Sequence, residues 1–449
     1  MTWFDKIRLY LIYTTAVTLI ILAVVFSVLR AVLPHATGYV DDLEQVLTEQ
    51  TGLPVSIGSM DADMYWLVPR LKLVDVIIYD KGKKRELLHL DEAIFALAFV
   101  DSILQRSPAV GDISLVGADL DIERLGNNRW RVQGIDFGAD SAAVSDSSAS
   151  SDLINAVKNI SFSLLDSNIH WRDYQLRSGQ LDFIGANIFI EEFFGDHSLE
   201  INLQLPEIYG ESLRLIVKTD DDISHLAMAD LDVYLQLSSI DMGQWLSVVD
   251  IDGLPTIQGI VNGELWFARK ANVFSQVVAD ASVRQLTVAR DNQGTSSLDN
   301  AKAKLEWMRT DSGWSFNSRD IVLVKGGAAW PELASVSAVK DNTGLSVFAN
   351  YLRVQDLLEI ANVVVDATTL KSIKNYQLSD IAGDFYNLSA FLPADEKSAL
   401  SLSTVFENLD FHVPDSEISF RGVDGSLSYI KGQVRLELLS ESVAMDFGA

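Results

Sequence analysis

Residues 199–205, Leu-Glu-Ile-Asn-Leu-Gln-Leu, and residues 231–237, Leu-Asp-Val-Tyr-Leu-Gln-Leu, decide the fold class of this chain. An aliphatic residue occupies every second position in both. Because successive side chains of a β-strand point to opposite faces, this period predicts strands with one apolar and one polar face. The same alternation recurs in shorter runs at 113–115, 120–122, 181–183, 213–217 and 434–438.

Turn sequences rich in Gly, Asn and Asp separate the alternating runs, for example Asp341-Asn-Thr-Gly344 and Lys431-Gly432. Such turns are typical of hairpins, so we expect most neighbouring strands to be antiparallel. Helices should be few and short. The apolar spacing predicts four of them, at Tyr39–Thr51, Asp101–Arg106, Met242–Val249 and Val354–Val365.

Residues 9–29 form an uncharged stretch without Pro or Gly. A helix of this length would cross a bilayer core of about 30 Å. The alternative is a cleaved signal peptide, whose apolar part is shorter and ends at a small-x-small site. We expect an anchor with a cytoplasmic N-terminus, since Lys6 and Arg8 precede it. The representative anchor residues are Leu9, Ile20, Val25 and Leu29.

Composition excludes several classes of protein. The 449 residues carry a net charge of −27, so the chain lacks the excess cations that bind nucleic acid. It has no Cys, which removes disulfides, thiolate metal sites and thiol nucleophiles and suits an oxidising compartment.

No motif in the chain indicates catalysis. The six histidines are scattered, without metal-ligand spacing, and no G-x-S-x-G sequence occurs. Lys81–Arg85 lacks the frame of a phosphate-binding loop, and Asp220–Asp222 lacks that of an EF-hand. We therefore expect neither an enzyme nor a bound metal or cofactor.

The apolar faces of the predicted strands must be shielded from water, and the pattern is compatible with two arrangements of the sheet. Two sheets can pack as a closed sandwich, which the pattern alone favours. Alternatively, one long sheet curls into an open trough, which the scarcity of helices and the membrane tether favour. In a trough the lining residues would be Leu115, Leu120, Ile122, Leu181, Phe183, Leu199, Ile201, Leu203, Leu205, Leu213, Leu215, Leu231, Val233 and Leu235.

The stretch 139–152, Ala-Asp-Ser-Ala-Ala-Val-Ser-Asp-Ser-Ser-Ala-Ser-Ser-Asp, has low complexity and is expected to be a flexible loop. It gives the clearest boundary in the chain. The predicted organisation is a cytoplasmic tip and anchor at 1–34, an N-terminal module at 35–138, the loop at 139–152 and an elongated β region at 153–449.

Several motifs resemble those of a known family. The stretch 43–58 ends in Gly52-Leu-Pro-Val, Ile57 and Gly58, and Pro69-Arg-Leu-Lys-Leu73 follows. Together they resemble the N-terminal signature of AsmA-like proteins, although Trp66-Leu-Val-Pro69 lacks the usual Gly. The blocks 113–122, 128–134 and 164–173 resemble the YhdP branch, and the resemblance covers roughly residues 1–270.

The resemblance implies a single-pass protein of the Gram-negative inner membrane with its bulk in the periplasm. Its fold would be mainly β: a transmembrane helix, then a long, curled antiparallel sheet forming a chorein-like repeating β-groove with few helices. Such proteins are implicated in moving phospholipid towards the outer membrane. They are longer than this chain, so an N-terminal fragment is expected.

The expected partners are phospholipid acyl chains, the inner membrane and an outer-membrane or periplasmic partner bound through the missing C-terminal part. The rival hypothesis is an anchored scaffold or assembly factor for the cell envelope that carries no lipid.

Overall fold

The computed structural model describes most of the β region in two compact units, which contain strands β1–β10 and β11–β24 respectively. The described residues are 38–65, 68–98, 102, 109–126, 129–137, 161–174, 179–193, 195–221, 229–248, 255–290, 294–331, 334–364, 381–395, 399–412, 418–440, 443–447 and short pieces between 13 and 31.

The first unit begins with the helix α1 (Val40–Thr51). Its strands are β1 (Val55–Tyr65), β2 (Val68–Tyr79), β3 (Glu86–Leu97), β4 (Val110–Val116), β5 (Asp119–Gly126), β6 (Arg129–Val132), β7 (Ile135–Phe137), β8 (Ser161–Asp173), β9 (Gln180–Phe193) and β10 (Asp196–Gln204). They pair in the order β1–β2–β3–β4–β8–β9–β10, and β5 pairs with both β8 and β6.

The sheet of the first unit is mixed, which corrects the expectation of one long antiparallel sheet, although most neighbouring strands are antiparallel as predicted. Strand β8 runs parallel to both β4 and β5. A parallel pair needs a connection of a dozen or more residues, and the chain between β5 and β8 supplies one through β6, β7 and the residues 138–160. The predicted loop at 139–152 belongs to this connection and lies outside the described residues.

The second unit is an antiparallel ladder. Its strands are β11 (Ser212–Thr219), β12 (Leu231–Asp241), β13 (Thr256–Lys270), β14 (Val273–Arg290), β15 (Gly294–Thr310), β16 (Gly313–Lys325), β17 (Ala328–Ala329), β18 (Ala334–Lys340), β19 (Gly344–Arg353), β20 (Ala382–Pro393), β21 (Ser401–His412), β22 (Ile418–Ile430), β23 (Gln433–Leu438) and β24 (Ala444–Phe447). Each long strand pairs with the next, while β23 and β24 both pair with β22.

Three of the four predicted helices are present within one residue of their expected bounds. They are α1, α2 (Met242–Val248) and α3 (Val354–Val364). The helix expected at Asp101–Arg106 lies outside the described residues apart from Ser102. Both α2 and α3 directly follow a long strand.

Helix α1 closes the outer edge of β1. The Oε1 atom of Glu44 accepts a hydrogen bond from the backbone N–H of Ile57 (2.6 Å), and Thr48 Oγ1 accepts one from Val55 (3.1 Å). Unpaired edge groups of this kind otherwise recruit a further strand. The side chains of Val40, Leu43 and Leu47 pack against the first unit's buried apolar cluster at the same time.

In the part of the chain that the structure describes, no helix is both long and apolar enough to cross a membrane. Of the predicted anchor residues, Ile20 is described and is 63% exposed, while Leu9, Val25 and Leu29 lie outside the described residues. The anchor stays a prediction.

A line of irregularities crosses five strands of the first unit and the link between β4 and β5. It runs through Gly58, Asp75, Asp91, Gly117, Asp166 and Gly185, and we call it the first-unit crease. Four of these residues have φ between +45° and +69°. Bulged positions bend a strand and increase its twist, so their alignment folds the sheet along this line.

The bend closes around apolar side chains. Buried residues lie on both sides of the first-unit crease, among them Leu73, Val76, Leu90, Leu164 and Ile169, and they form one cluster. The backbone at the crease keeps its hydrogen bonds through side chains. For example, the buried Ser167 Oγ accepts from Ala118 N–H (3.1 Å) and donates to the carbonyl oxygen of Leu165 (2.9 Å).

The second unit also contains bulges, which lie in β12, β14, β16, β20 and β21. Positive φ angles occur at Ser239, Gln285, Asp320, Asn387 and Asn408. Partner strands again supply side-chain acceptors: Asn262 Oδ1 accepts from Ser239 N–H (2.8 Å), and Asp424 Oδ1 accepts from Asn408 N–H (2.9 Å).

Replacing the glycine at the centre of the first-unit crease should destabilise the first unit. Gly117 has φ +69°, and a Cβ atom there would overlap the side chain of Asp91. We expect Gly117→Ala to lower the free energy of unfolding by more than the roughly 1–2 kcal/mol of a left-handed residue alone. Urea denaturation followed by circular dichroism measures this change.

Gly195→Ala is the matched control, because Gly195 has φ +92° in the same unit with open space around its Cβ position. Equal losses of stability in Gly117→Ala and Gly195→Ala would show that close packing at the crease contributes nothing.

A candidate functional site on the apolar face

Twelve apolar residues form one continuous row across the second unit. Each is the register partner of the next, from β11 through β16 and from β18 through β23. The row is Val217, Val233, Phe267, Val277, Trp307, Phe316, Ala338, Val347, Ala390, Leu402, Tyr429 and Val434. At about 4.8 Å between strands, eleven steps make a track of about 53 Å.

The row is accessible at eleven of its twelve positions. Of its twelve residues only Val233 is buried; the other side chains are partly exposed, and Val434 is 66% exposed. In a closed sandwich, residues facing the other sheet would be buried in a core about 10 Å thick. The neighbouring row from Leu215 to Val336 is similar and includes one polar residue, Ser318.

A shorter row crosses seven strands of the first unit next to its crease. Its members are Met60, Leu73, Ala93, Leu115, Leu164, Ile188 and Ile201. The members near α1 and the crease are buried, whereas Leu115, Ile188 and Ile201 keep partial exposure. The apolar face of the first unit is therefore largely covered by its own bend and by α1.

The residues expected to line a trough fall on these apolar faces. In the first unit Leu115, Leu120, Ile122, Phe183 and Leu203 pack against the same buried cluster. Leu181 is buried opposite Trp171, and Leu199 and Ile201 pair with Ile190 and Ile188. In the second unit Leu213, Leu215, Leu231, Val233 and Leu235 alternate along β11 and β12, while Leu205 precedes β11 and is buried. Contact of these residues with lipid stays a prediction.

Most of the accessible row was not predicted. Phe267, Val277, Trp307, Phe316 and Val347 occur in sequences where apolar residues also fall at neighbouring positions, such as Leu265-Trp-Phe267 and Val277-Val278. The period of two is therefore weak in these strands. The turns at 271–272 and 311–312 fix the register of the strands that they join. Counting residues from these turns is the way in which the sequence could have shown which residues share a face.

The opposite face of the second unit carries polar and charged residues in the same register. One such row is Arg214, Gln236, Glu264, Asp280, Lys304 and Arg319. Lys304 Nζ lies 2.9 Å from Asp320 Oδ2, and this exposed ion pair lowers the pKa of Asp320 and raises that of Lys304.

An aromatic cluster of the second unit includes side chains of the paired strands β19 and β20. Trp330, Tyr351 and Tyr386 stack edge to face, and Trp330 Nε1 donates to the buried Asp356 Oδ2 of α3 (2.8 Å). Burial and a hydrogen bond to Asp384 (2.6 Å) raise the pKa of Tyr351 strongly. This network fixes α3 against the sheet.

The charged face of the first unit contains a cavity of about 810 Å³ around His170. The imidazole lies between two carboxylates, with Nδ1 2.6 Å from Asp182 Oδ1 and Nε2 2.9 Å from Asp119 Oδ1. Nearby, Glu123 accepts from Arg172 (2.6 Å) and Arg131 (3.1 Å). The hydrogen bond with Asp182 is the main cause of the raised pKa of His170. Hydrogen bonds from Gln180 and then His170 lower the pKa of Asp182.

Among the residues that the structure describes, no group of three or more His, Asp or Glu side chains could hold a metal ion. The charged cavity around His170 is built from ion pairs that satisfy one another.

The model of a family described as YhdP protein matches residues 1–449. Neither a curated protein nor a solved structure matches the chain.

The ion pairs of His170 should make the stability of the first unit depend on pH. Because its folded pKa is raised above 6.5, its contribution is complete below that pH and is lost as pH rises through the folded value. The side chain is partly exposed, so the loss should be about 1 kcal/mol or less. Urea denaturation at about pH 6 and about pH 8.5 measures it.

His170→Asn is the control, since it keeps a polar side chain but does not titrate. The free energy of unfolding of this variant should change less between the two pH values than that of the parent. An identical change in both proteins would contradict the assignment to His170.

Proposed function

The chain belongs to the YhdP family, and from that membership together with its accessible apolar face we propose that it conducts phospholipid along a β-sheet groove. The inner membrane would supply the lipid, residues 9–29 would anchor the chain there, and the β region would extend through the periplasm towards the outer membrane. The twelve-residue row from Val217 to Val434 is the observation that carries the proposal.

Acyl chains need such a surface because water opposes their transfer between membranes. Each exposed CH₂ group costs about 0.8 kcal/mol, which amounts to more than about 10 kcal/mol for a typical chain. The partly exposed row from Phe267 through Phe316 to Leu402 offers continuous apolar contact to such a chain. A lipid on this face would keep its acyl carbons out of water at every step.

The row also lacks any feature that would trap a lipid. All of its members are apolar, and none can form an ion pair with a headgroup. Its side chains range from Ala338 and Ala390 to Trp307 and Phe316, and all of them give dispersion contacts without a charged anchor. The headgroup would stay hydrated at the open side of the groove, so no specific polar pocket is required.

Photo-crosslinking at two adjacent residues of β16 tests the proposed lipid path. Phe316 belongs to the apolar row, whereas Asn317 is exposed on the opposite face. We expect p-benzoylphenylalanine at position 316 to capture phospholipid in cells and the same residue at position 317 to capture little. Mass spectrometry of the adducts measures this difference. Equal labelling at both positions, or none at 316 in folded protein, would contradict the proposal.

A charge in the row should reduce the amount of bound lipid. Val347 lies in the row, and the exposed Ser346 next to it points to the other face. Because a carboxylate beside an acyl chain must be desolvated, Val347→Asp should lower the phospholipid found per chain by native mass spectrometry. Ser346→Asp should leave it unchanged.

Thermal denaturation of Val347→Asp and Ser346→Asp shows whether both variants remain folded. The new carboxylate in Val347→Asp would be partly exposed, so it can stay hydrated and should leave the fold intact.

A parent protein that purifies without phospholipid would instead favour the scaffold hypothesis.

A further inference from the structure

The polar face of the second unit contains an unexpected aromatic patch. Trp266 of β13 lies on the face that also carries the charged and amide row from Arg214 to Arg319, and it is 40% exposed. Tyr234 of β12 is its register partner, with ring centroids 5.3 Å apart and ring planes inclined by 43°. Ile216 and Val278 extend this row to β11 and β14.

The patch forms the floor of a shallow cavity of about 460 Å³, with Lys218, Asp232 and Gln276 along one side. This volume lies within the range of pockets that hold small molecules. About two-fifths of the surface of Trp266 stays in contact with water, so this part of the indole adds nothing to the burial that stabilises the fold. Its exposed ring is instead available to a ligand.

A second cavity of about 400 Å³ lies on the next two rows of the same face, and polar side chains line it. They include Gln236, Glu264, Asp280, Ser282 and Lys302. Asn262 also lines this cavity, and its Oδ1 is already bonded to Ser239 N–H, which leaves its NH₂ group as a donor. The two cavities together cover about 20 Å along the strands.

We propose that these two cavities form one binding site for a neutral oligosaccharide. A pyranose ring has an apolar face of C–H groups that matches the exposed indole of Trp266, and its hydroxyls both donate and accept hydrogen bonds. The amides, carboxylates and hydroxyls around Gln236, Glu264 and Ser282 provide both kinds of partner. A chain of a few sugar rings fits the combined length of the site.

The charge of the lining disfavours anionic ligands. Three carboxylates, Asp232, Glu264 and Asp280, line the site with two lysines, Lys218 and Lys302. The net charge of the lining is therefore −1, which disfavours nucleic acid and other polyanions. The remaining alternative is a cation held over the aromatic rings, and the row of amide and hydroxyl groups beyond Glu264 favours the sugar.

The site is on the face opposite the Val217–Val434 row, so the proposal goes beyond lipid conduction and does not depend on it. Binding of sugar here would attach the β region to a glycan while the apolar face stays accessible.

Saturation-transfer-difference NMR with the full chain in detergent tests the site. The probes are neutral tetrasaccharides of glucose, galactose, mannose and N-acetylglucosamine, with tetramethylammonium as the cation probe. We expect at least one tetrasaccharide to bind with a dissociation constant below about 10 mM. Its ring C–H protons should receive the strongest saturation, as stacking on an indole requires.

Trp266→Ala should weaken this binding by about 10-fold or more, and Trp266→Phe should restore most of it, because the phenyl ring keeps a stacking surface. Phe348→Ala is the matched control. Phe348 is an aromatic residue of β19 on the same face, 43% exposed, and its register partner in β20 is Ser389.

Three results would overturn the proposal. They are the absence of binding by all four tetrasaccharides, equal affinity in the parent and Trp266→Ala, and binding of tetramethylammonium that competes with every tetrasaccharide for the site. If one of these results is obtained and position 316 still captures lipid, only the sugar site is contradicted and the proposed function stands.

Discussion

The phase of side chains along hydrogen-bonded strands is the constraint on which the rest of this structure depends. Slipping one strand by a single residue would turn all of its side chains to the other face. Eleven consecutive pairings between Val217 and Val434 keep apolar residues together nevertheless. In the first unit the pairing of β4 and β5 with β8 is interrupted, because Gly117-Ala118 lies opposite Asp166-Ser167. Beyond this interruption apolar residues pair again, as Leu120 does with Ile169.

The bulges of the sheet also influence which apolar side chains are buried and which stay accessible to solvent. At the first-unit crease the sheet folds on itself and buries Leu73, Val76 and Leu164, which supplies a core without a second sheet. Helix α1 adds cover and satisfies the edge of β1. The long strands of the second unit carry apolar side chains beyond what its few buried clusters can cover, so their row stays accessible.

The sequence predicts much of the secondary structure and less of the assembly. Strict alternation at 231–237 and helical spacing at 354–364 suffice for β12 and α3. Bulges cannot be recognised in the same way, because a slip such as Leu237 to Ile240 looks like an ordinary end of a pattern. The parallel pairing of β8 depends on where the chain returns after residues 138–160, which no local period encodes. Trp266 is hidden between Leu265 and Phe267, so only the register reveals that its face is polar.

A continuous apolar path has a consequence for how the proposed transport would proceed. Because no member of the row from Val217 to Val434 is charged, an acyl chain bound along it would meet apolar contacts at each strand and no single strong anchor. Such a path permits movement in either direction and favours neither. Direction would therefore have to come from a difference in lipid chemical potential between the two ends of the path. The row would lower the barrier for exchange between membranes, and the conditions at each end would set the net flow.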